Sequence, residues 1–592
     1  MGRLFQKGEP MERILLRDHG ICPGADVTLA LYALFQKYSK DATFVFEPGD
    51  YFFSPQLTAD YRLSNSDVMP ERKLGIWLKA MQNIVLEGNG ARLLFCGHMQ
   101  PVTMDRCENV TMRGFTIDWE KPLISEGVVT AFDEKSVDLF VDPVAFPHRF
   151  TGDWIEFDVG NGEWYPLTPR GQIQFDAQTR TVRRDTGDKY FPERSIERVG
   201  EHVYRFRFRN LKEPVDTAVG NVFVLRHNER MHAGLFTEKC TNVTFSDITV
   251  HSCGGLGCLA QFCDTVTYER VNFVPNEKAG RRITSGRDDG MHVTCCRGMI
   301  TITQCSFLGL MDDPINVHGC CVAVEEIVDA RTLRCRYMHE QAMGFHYWAE
   351  PGNEIAFIAR GNMQTIHTAR AESYELTAMD TFLLTLAEDL PEDIAAMENG
   401  TLALDNLTNT AAFTCTLNRF GSCRARGVLV STPKAVRIAE NLFESSGSAI
   451  LVAGDSNYWF ESGACKDVRI ENNVFTAACL SSMYQFCEGV ISICPVVPRP
   501  ETDKPYHSQI TIRNNTFDSP DVPVLYALSC EKLTFEGNRI FKAYAGKRWH
   551  PGKAMMNLEY CRDVQLGKNC WIGDFALKRL EMKACAQVCV EE

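Results

Sequence analysis

The sequence predicts an all-β fold, a right-handed parallel β-helix with two small inserted antiparallel β-barrel domains. Three observations support this prediction: a short strand-and-turn unit that recurs along the 592 residues, a repeated spacing of 23 residues, and two long stretches that interrupt the repeat. Each unit is too short to be stable alone, so neighbouring units must stack to bury their apolar side chains.

The recurring unit reads apolar-x-apolar-x-x-Asn/Gly/Cys-x-apolar. Its copies begin at Asn83, Asn109, Asn242, Thr265, Met299, Ala435, Asp467, Gln509, Lys532 and Asp563. Spacings of 23 residues separate Val243 from Val266, Phe413 from Val436, and Ile510 from Leu533. A period in the low twenties with β-branched strands is typical of one coil of a parallel β-helix, and the signature of leucine-rich repeats is absent.

The interruptions divide the chain into five parts. Residues 1–123 are predicted to form an N-terminal cap, with one amphipathic helix, and the first coils. Residues 124–226 and 321–410 contain alternating strands such as SVDLFVD and TLRCRYMH, which predict the two β-barrel inserts. Residues 227–320 and 411–592 return to the repeat and form the central and C-terminal coils.

Composition limits the classes of partner. A formal net charge of −14 disfavours nucleic acid and anionic membranes, and no apolar run is long enough to span a bilayer. The first 20 residues carry charges throughout and lack the pattern of a secretory signal, which predicts a cytoplasmic location, or an extracytoplasmic one if a signal has been removed. The sequence leaves a homodimer open.

The 24 cysteines are expected to be free thiols in a reducing compartment. Six of them begin a C-x-x-V/L segment, which predicts buried thiols stacked inside the solenoid: Cys107, Cys240, Cys263, Cys465, Cys530 and Cys561. The cysteines lack the paired spacing of a structural zinc site, and the motifs of nucleotide cofactors are absent. We therefore expect no metal and no cofactor.

Two Asp-Asp pairs form the densest polar cluster, in SGRDDGMHV from Ser285 and LMDDPINVHG from Leu310. Asp289 and Asp312 are 23 residues apart, so we expect them to lie almost directly above one another, ~4.8 Å apart, with Asp313 beside them. Repulsion between stacked carboxylates would keep one protonated and another ionised, as cleavage of a glycosidic bond requires. The alternative is that these aspartates stabilise turns, and this explanation fits Asp288 best.

Other polar and aromatic residues are candidates for binding substrate. Near the aspartates these are His292, Asn316 and His318; elsewhere they are Trp459 and Glu461 in GDSNYWFESG, and Asp118 and Trp119 in TIDWEKP. Trp459 could stack on the apolar face of a sugar and Glu461 could bind its hydroxyl groups. Trp459 could equally pack beneath a loop, and Asp118 with Trp119 is the weaker candidate of the same kind.

At these residues the sequence resembles glycoside hydrolase family 110, the bacterial exo-α-1,3-galactosidases. The matching stretches are GADVTLAL, FTIDWEKPLISEGVV, RDDGMHV, MDDPINVHG and RARGVLVST continuing through WFESG. The resemblance implies a β-helix with two barrel inserts and metal-free inverting release of terminal α-1,3-linked galactose from glycans. The expected partner is therefore a galactose-terminated oligosaccharide, of the branched blood-group B type, the linear type, or both.

The resemblance also implies that Asp289, Asp312 and Asp313 occupy the three catalytic positions. In the similar polygalacturonases of family 28, the first Asp of an Asp-Asp pair is the acid. By that similarity Asp312 is expected to be the general acid, and Asp289 with Asp313 is expected to hold the attacking water.

Two alternatives stay open at this point. A polygalacturonase-like pectin hydrolase would need a basic subsite, and the Arg-x-Lys triplet of that family does not follow NVHGCCV. A non-catalytic carbohydrate-binding β-helix could use the same fold, since fold does not determine function, but it would need no carboxylate cluster.

Overall fold

The structure is a computed structural model that describes residues 11–69, 71–168, 172–188, 196–208, 215–227, 229–278, 282–343, 347–482, 484–543 and 552–591. The first ten residues, on which part of the compartment prediction rests, lie outside these ranges. Within them, the α-helices are Thr28–Lys37 and Glu392–Ala395, and the 3₁₀ helices are Leu16–His19 and Glu340–Ala342. None of these helices is long and apolar enough to cross a membrane.

Stacked parallel strands form two long sheets, which confirms the predicted parallel β-helix. Among the described residues, the first sheet contains 22 strands: Glu12–Leu15, Lys40–Val45, Asp50–Phe53, Gln82–Phe95, Glu108–Trp119, Thr241–Val250, Asp264–Phe273, Arg297–Thr303, Ser306–Phe307, Ala412–Thr416, Arg419–Phe420, Val436–Ala439, Leu442–Phe443, Val468–Glu471, Val474–Phe475, His507–Arg513, Thr516–Ser519, Cys530–Glu536, Arg539–Lys542, Arg562–Leu566, Cys570–Ile572 and Ala586–Val590.

In the part of the chain that the structure describes, the second sheet contains 14 strands: Leu57–Asp60, Glu71–Lys79, Gln100–Asp105, Leu235–Glu238, Cys258–Gln261, Met291–Thr294, Ile315–Cys320, Val428–Ser431, Ile450–Val452, Glu461–Ser462, Ile491–Ile493, Leu525–Leu528, Met556–Glu559 and Leu580–Lys583. Leu57–Asp60 and Glu461–Ser462 are antiparallel to their neighbours, and the others pair in parallel.

The coil length follows the spacing seen in the sequence. Val243 pairs with Val266, Phe413 with Val436 and Ile510 with Leu533. A continuous apolar core runs through the coils from Ile14 to Leu566. In first-sheet strands such as Asp264–Phe273, the alternation of apolar and polar residues sends one face into this core and the other towards solvent, whereas second-sheet strands such as Met291–Thr294 are buried on both faces.

Identical side chains stack between coils. Six phenylalanines form a column with ring centroids 4.4 to 6.0 Å apart: Phe273, Phe307, Phe420, Phe443, Phe475 and Phe517. Six asparagines form a second column, in which the side-chain oxygen of every member after the first accepts a bond of 2.9 to 3.0 Å from the backbone N–H of the previous member: Asn418, Asn441, Asn473, Asn515, Asn538 and Asn569. The columns hold successive coils in one register.

The six cysteines that the repeat singles out are all buried and free. The backbone N–H of Cys107 donates to the Sγ of Cys240 at 3.3 Å, and that of Cys263 donates to the Sγ of Cys296 at 3.4 Å. Stacked thiols thus occupy one inner corner of the coils, as predicted.

Both inserts are antiparallel and have their own apolar cores. The first consists of a six-stranded sheet, Ser125–Phe132, Ser136–Phe140, Gln174–Phe175, Ile196–Gly200, Val203–Arg207 and Val222–Leu225, and a three-stranded sheet, His148–Phe150, Ile155–Gly160 and Glu163–Pro166. The second is a closed barrel of Val322–Ile327, Thr332–Arg336, Glu354–Ala359, Gln364–Leu376, Thr381–Leu386 and Leu402–Asn406.

The helix Thr28–Lys37 covers the N-terminal end of the coils. It buries Leu31, Leu34 and Phe35, and the ring of Phe35 meets that of Phe44 edge-on at 4.8 Å. The helix covers the core at this end of the solenoid, as the sequence predicts for the cap.

The asparagine column makes a specific contribution to stability. Asn473→Ala would leave the buried backbone N–H and side-chain amide of Asn441 without their acceptor, so we expect the free energy of unfolding to fall by roughly 2–4 kcal/mol. Urea unfolding measures it. The exposed Asn399→Ala serves as control and should change stability by no more than about 0.5 kcal/mol; equal effects of the two variants would contradict the prediction.

Candidate active site

Three neighbouring strands of the second sheet carry the predicted site: Met291–Thr294, Ile315–Cys320 and Val428–Ser431. Met291 pairs with Ile315 and Gly286 with Leu310, so this coil is 24 residues long. The aspartates are consequently aligned as Asp288 with Asp312 and Asp289 with Asp313. The expectation that Asp312 lies directly above Asp289 is wrong by one residue, although the three carboxylates do share one cavity.

The cavity is open to solvent. Among the described residues that line it, five are acidic and two are basic: Asp289, Asp312, Asp313, Asp455 and Glu461, with Arg230 and Arg426. Its other walls include Asn65, His292, Asn316, Gln341, Trp459, Tyr484 and Phe486. The cavity is therefore lined by polar, acidic and aromatic side chains.

Asp313 is held by the next coil. Its Oδ1 accepts from the backbone N–H of Arg426 at 2.8 Å, and its Oδ2 accepts from the guanidinium of the same residue at 2.7 Å. Burial and the neighbouring carboxylates raise the pKa of Asp313, whereas Arg426 opposes that rise. The two bonds fix the orientation of this carboxyl group.

Asp312 lies among cations. Its Oδ2 accepts from Arg230 at 3.2 Å and lies 3.7 Å from Arg424, and its Oδ1 accepts from the hydroxyl of Tyr484 at 3.3 Å. Burial alone would raise the pKa of Asp312, but the guanidiniums of Arg424 and Arg230 lower it below its ordinary value. Asp312 is therefore the ionised member of the cluster.

Asp289 has the opposite environment. It is 3% exposed, and its Oδ2 lies 2.7 Å from Nδ1 of His292. Burial, and then the charge of Asp312, raise the pKa of Asp289 well above its ordinary range. The pKa values of Asp289 and Asp313 are thus both raised and that of Asp312 is lowered, whereas the expectation of Asp312 as the acid needs Asp312 to hold the proton.

Asp288 lies behind the cavity wall and binds Arg230, which lines it. It is buried and binds Arg230 at 3.0 Å and Arg287 at 2.9 Å, and the two guanidiniums, against the effect of burial, hold the pKa of Asp288 well below its usual range. Asp288 is thus more than a turn residue, because it anchors the arginine that contacts Asp312.

Glu461 reaches the site from a short strand that pairs antiparallel with Ile315–Cys320. Its two oxygens accept from the side-chain amides of Asn65 at 3.0 Å and Asn316 at 3.3 Å. Trp459 lines the same wall and its ring lies 4.4 Å from that of His339. Both residues of the WFESG stretch thus face the cavity.

Three predicted binding residues lie off the cavity wall. Asp118 binds Arg282 and Asn276, each at 2.7 Å, and Trp119 is buried against Phe95. Both end a strand of the first sheet, so the prediction that they bind substrate is corrected to a structural role. His318 lies behind His292, with their Nε2 atoms 2.8 Å apart, and contacts the cavity only through it and Glu461.

His292, His318 and Glu461 are the described residues closest to a metal-binding arrangement, with ligand atoms within 4.8 Å of one another. They fit an ion poorly as they stand. The two Nε2 atoms already share a hydrogen bond, and both carboxylate oxygens of Glu461 already accept from asparagines. An ion would have to break these bonds to gain ligands.

The sequence analysis missed the arginines and Tyr484. Arg424 and Arg426 stand directly before the strand that follows Ile315–Cys320 in the second sheet, so the R-x-R of RARGVLVST was an available signal. Arg230 follows the first insert and Tyr484 lies in a long loop, and neither belongs to a repeat unit. Arg424 is itself held at 2.7 Å by Asp188 of the first insert.

Family models match the two inserts, and known proteins match most of the chain. The family models for GLAA-B beta-barrel domains I and II match residues 125–223 and 332–398. Alpha-1,3-galactosidase B of Bacteroides thetaiotaomicron is 38% identical over 544 residues, which cover 91% of this chain and 87% of that protein. The chain belongs to the alpha-1,3-galactosidase family. An alpha-1,3-galactosidase B of Phocaeicola vulgatus is 31% identical over 94% of each chain.

The family membership confirms the resemblance found in the sequence, and with it the protein is a glycoside hydrolase. A solved structure of a more distant protein, the family 28 exopolygalacturonase of Yersinia enterocolitica, aligns with a TM-score of 0.39 and 10% identity over 98% of this chain and 78% of the other. That likeness is too remote to bear on function.

The anchoring role of Asp288 predicts a pH-dependent effect. Asp288→Asn should lower the free energy of unfolding by about 3 kcal/mol at pH 7, because two buried guanidiniums each lose one of their counter-ions. Since folding lowers the pKa of Asp288, the wild-type advantage should be complete above about pH 5 and shrink as the pH falls below about 4. Urea unfolding between pH 3 and pH 7, with the exposed Asp60→Asn as control, tests this; a difference independent of pH would contradict it.

Proposed function

We propose that this protein releases terminal α-1,3-linked galactose from oligosaccharides with inversion, with Asp289 as general acid and Asp312 as general base. The observation that carries the proposal is the unequal environment of the two carboxyl groups. Asp312 lies within reach of Arg230 and Arg424, whereas Asp289 is buried against a histidine. A pair with one protonated and one ionised carboxyl group is what inverting hydrolysis needs.

In the reaction, Asp289 transfers its proton to the glycosidic oxygen as the bond to the anomeric carbon breaks. Asp312 accepts a proton from the water that attacks the opposite face of the sugar. Asp313, whose orientation is fixed by Arg426, shares the cavity with both residues. The sequence-based expectation assigned Asp312 as the acid, and the arginines around it are the reason to exchange the roles.

The walls suit a neutral sugar. Trp459 and Phe486 offer apolar faces for the C–H side of galactose, and Glu461 with Asn316 can bind hydroxyl groups. The two lining arginines are bonded to Asp312 and Asp313, and acidic residues outnumber them five to two. A galacturonan chain would bring further negative charge into this excess, which argues against the pectin-hydrolase alternative.

The first test compares substrates and follows the product. We expect hydrolysis of a galactosyl-α-1,3-galactoside and of an aryl α-galactoside, no hydrolysis of polygalacturonate, and β-galactose as the first product in early proton NMR spectra. Matched branched and linear trisaccharides would show which acceptor fits. Initial α-galactose would exclude inversion, and binding without hydrolysis would favour the non-catalytic alternative.

A second test separates the acid from the base. Asp289→Asn should lose at least about 100-fold in kcat/KM on the natural linkage but much less on an activated aryl galactoside, whose leaving group needs little protonation. Asp312→Asn should slow both substrates alike, and azide should rescue it by acting as a nucleophile that needs no base. Azide rescue of Asp289→Asn and not of Asp312→Asn would return the roles to the original expectation.

A further inference from the structure

Arg424 divides its hydrogen bonds between the first insert and the active site. Its Nε donates to Oδ1 of Asp188 at 2.7 Å, and its Nη2 donates to Oδ2 of the same carboxylate. Its Nη1 donates to the carbonyl oxygen of Met311 at 3.2 Å and to the hydroxyl of Tyr484 at 3.1 Å. Oδ2 of Asp312 lies 3.7 Å from Nη1, which is beyond hydrogen-bonding distance.

Asp188 belongs to a loop of the first insert, residues 182–188, that is fastened to the solenoid. Three bonds hold this loop: the N–H of Val182 to Oγ of Ser422 at 2.6 Å, the N–H of Asp185 to the carbonyl oxygen of Ser481 at 2.9 Å, and the guanidinium of Arg184 to the carbonyl oxygen of Ala477 at 2.7 Å. Asp188 is not among the residues that line the cavity in the described part of the chain. It therefore reaches the site only through Arg424.

Tyr484 connects the same arginine to Asp312. Its ring contacts two guanidiniums, with the Cζ atoms of Arg424 and Arg426 at 4.7 and 4.8 Å from the ring centroid. Its hydroxyl accepts from Arg424 and donates to Oδ1 of Asp312 at 3.3 Å. A movement of Arg424 would therefore change both the charge beside Asp312 and the hydrogen bond that Asp312 accepts.

The two acidic partners of Arg424 are unequal. Asp188 binds the guanidinium through two parallel hydrogen bonds, the strongest geometry that arginine offers to a carboxylate, whereas Asp312 is near its charge without a bond to it. Arg424 is 8% exposed, so water competes little for it. A buried guanidinium that lost Asp188 would have Asp312 as its closest remaining acidic partner among the described contacts.

We infer that Asp188 is a positioning residue for the reaction, which acts through Arg424 by holding this guanidinium away from Asp312. The first insert thus contributes to the active site without touching the sugar. The inference rests on the proposed function in one respect, because it takes Asp312 as a reacting carboxyl group. It holds whether Asp312 gives a proton or takes one.

Other groups also act on Asp312, and they stay in place when Asp188 is replaced. Those that face it are the guanidiniums of Arg226, Arg230, Arg424 and Arg426, the carboxyl groups of Asp288, Asp289 and Asp313, the imidazole of His292 and the hydroxyl of Tyr484. Against the effect of burial, the guanidiniums lower the pKa of Asp312. Loss of Asp188 leaves their number unchanged and releases one of them to move closer.

The experiment compares Asp188→Asn with Asp188→Glu. The amide carries no charge, so Arg424 should move onto Asp312 and lower its pKa further. The limb of the pH profile of kcat/KM that Asp312 governs should then shift by about one pH unit toward acid, while the other limb stays. The value of kcat should fall by about 10-fold or more with little change in KM, because Asp188 does not touch the sugar. Glutamate restores the charge and should keep the limb within about 0.3 pH unit of wild type.

Asp216→Asn is the matched control within the first insert. Its carboxylate pairs with Arg183 at 2.6 Å, and neither residue lines the cavity, so kcat and both limbs should be unchanged. Thermal unfolding shows whether each variant is folded. An unmoved limb in Asp188→Asn, equal shifts in the Asn and Glu variants, or the same shift in the control would overturn the inference.

A double substitution tests whether Asp188 acts through Arg424. When Asp188→Asn is added to Arg424→Gln, the limb should move by no more than about 0.3 pH unit beyond the single Arg424→Gln variant, because the group that carries the effect is gone. The pair removes both charges together, so the comparison stands even if Asp188→Asn alone does not fold. A full further shift would contradict the inference.

A crystal structure of Asp188→Asn tests the arrangement without any assay. We expect the guanidinium of Arg424 within about 3.2 Å of a carboxylate oxygen of Asp312. A guanidinium that keeps its wild-type position would overturn the inference. If it moves as expected but the wild-type protein hydrolyses no α-1,3-galactoside, the proposed function fails and the hold of Asp188 on Arg424 stands.

Discussion

The register of three stacked coils decides which charges meet in this protein. Asp313 lies one coil from Asp289 and on the other side bonds to Arg426, whose strand is the next in the second sheet. Backbone hydrogen bonds set this alignment, since a slip of one residue would turn every side chain to the opposite face. The electrostatics of the cavity therefore follow from the pairing of the strands.

The site concentrates buried charge, which is unfavourable unless each charge has a partner. Asp288, Asp312 and Asp313 each bind at least one guanidinium, and Asp289 is the member without one at hydrogen-bond distance among the described contacts. The coils supply the surrounding rigidity through their asparagine and phenylalanine columns. A rigid solenoid can thus hold several carboxyl groups at fixed positions with different charge partners, which a flexible loop could not do.

The repeat made the fold predictable, because coil length and strand alternation are local properties of the sequence. Val243 and Val266 met as expected, and so did the stacked cysteines. The one-residue error at Asp289 arose because this coil is 24 residues long, one residue longer than the spacing repeated elsewhere. Trp119 and Trp459 lie in similar polar stretches of the sequence. Trp119 ends a strand of the first sheet and is buried in the core, whereas Trp459 lies beside a strand of the second sheet and lines the cavity.

The charges around Asp312 could not be assigned from the sequence, since they come from four separate segments. Arg230 follows one insert, Arg424 is braced by Asp188 of that insert, and Tyr484 reaches in from a loop. The sequence could place the three aspartates together but could not say which would be ionised.

The closed barrel leaves and rejoins the solenoid at neighbouring points, since Val322 pairs with Leu404, yet it supplies Gln341 to the cavity wall. In evolutionary terms it is a module that can be exchanged or reshaped without moving the stacked aspartates. Substitutions in this domain can therefore reshape part of the cavity wall without touching any of the three aspartates.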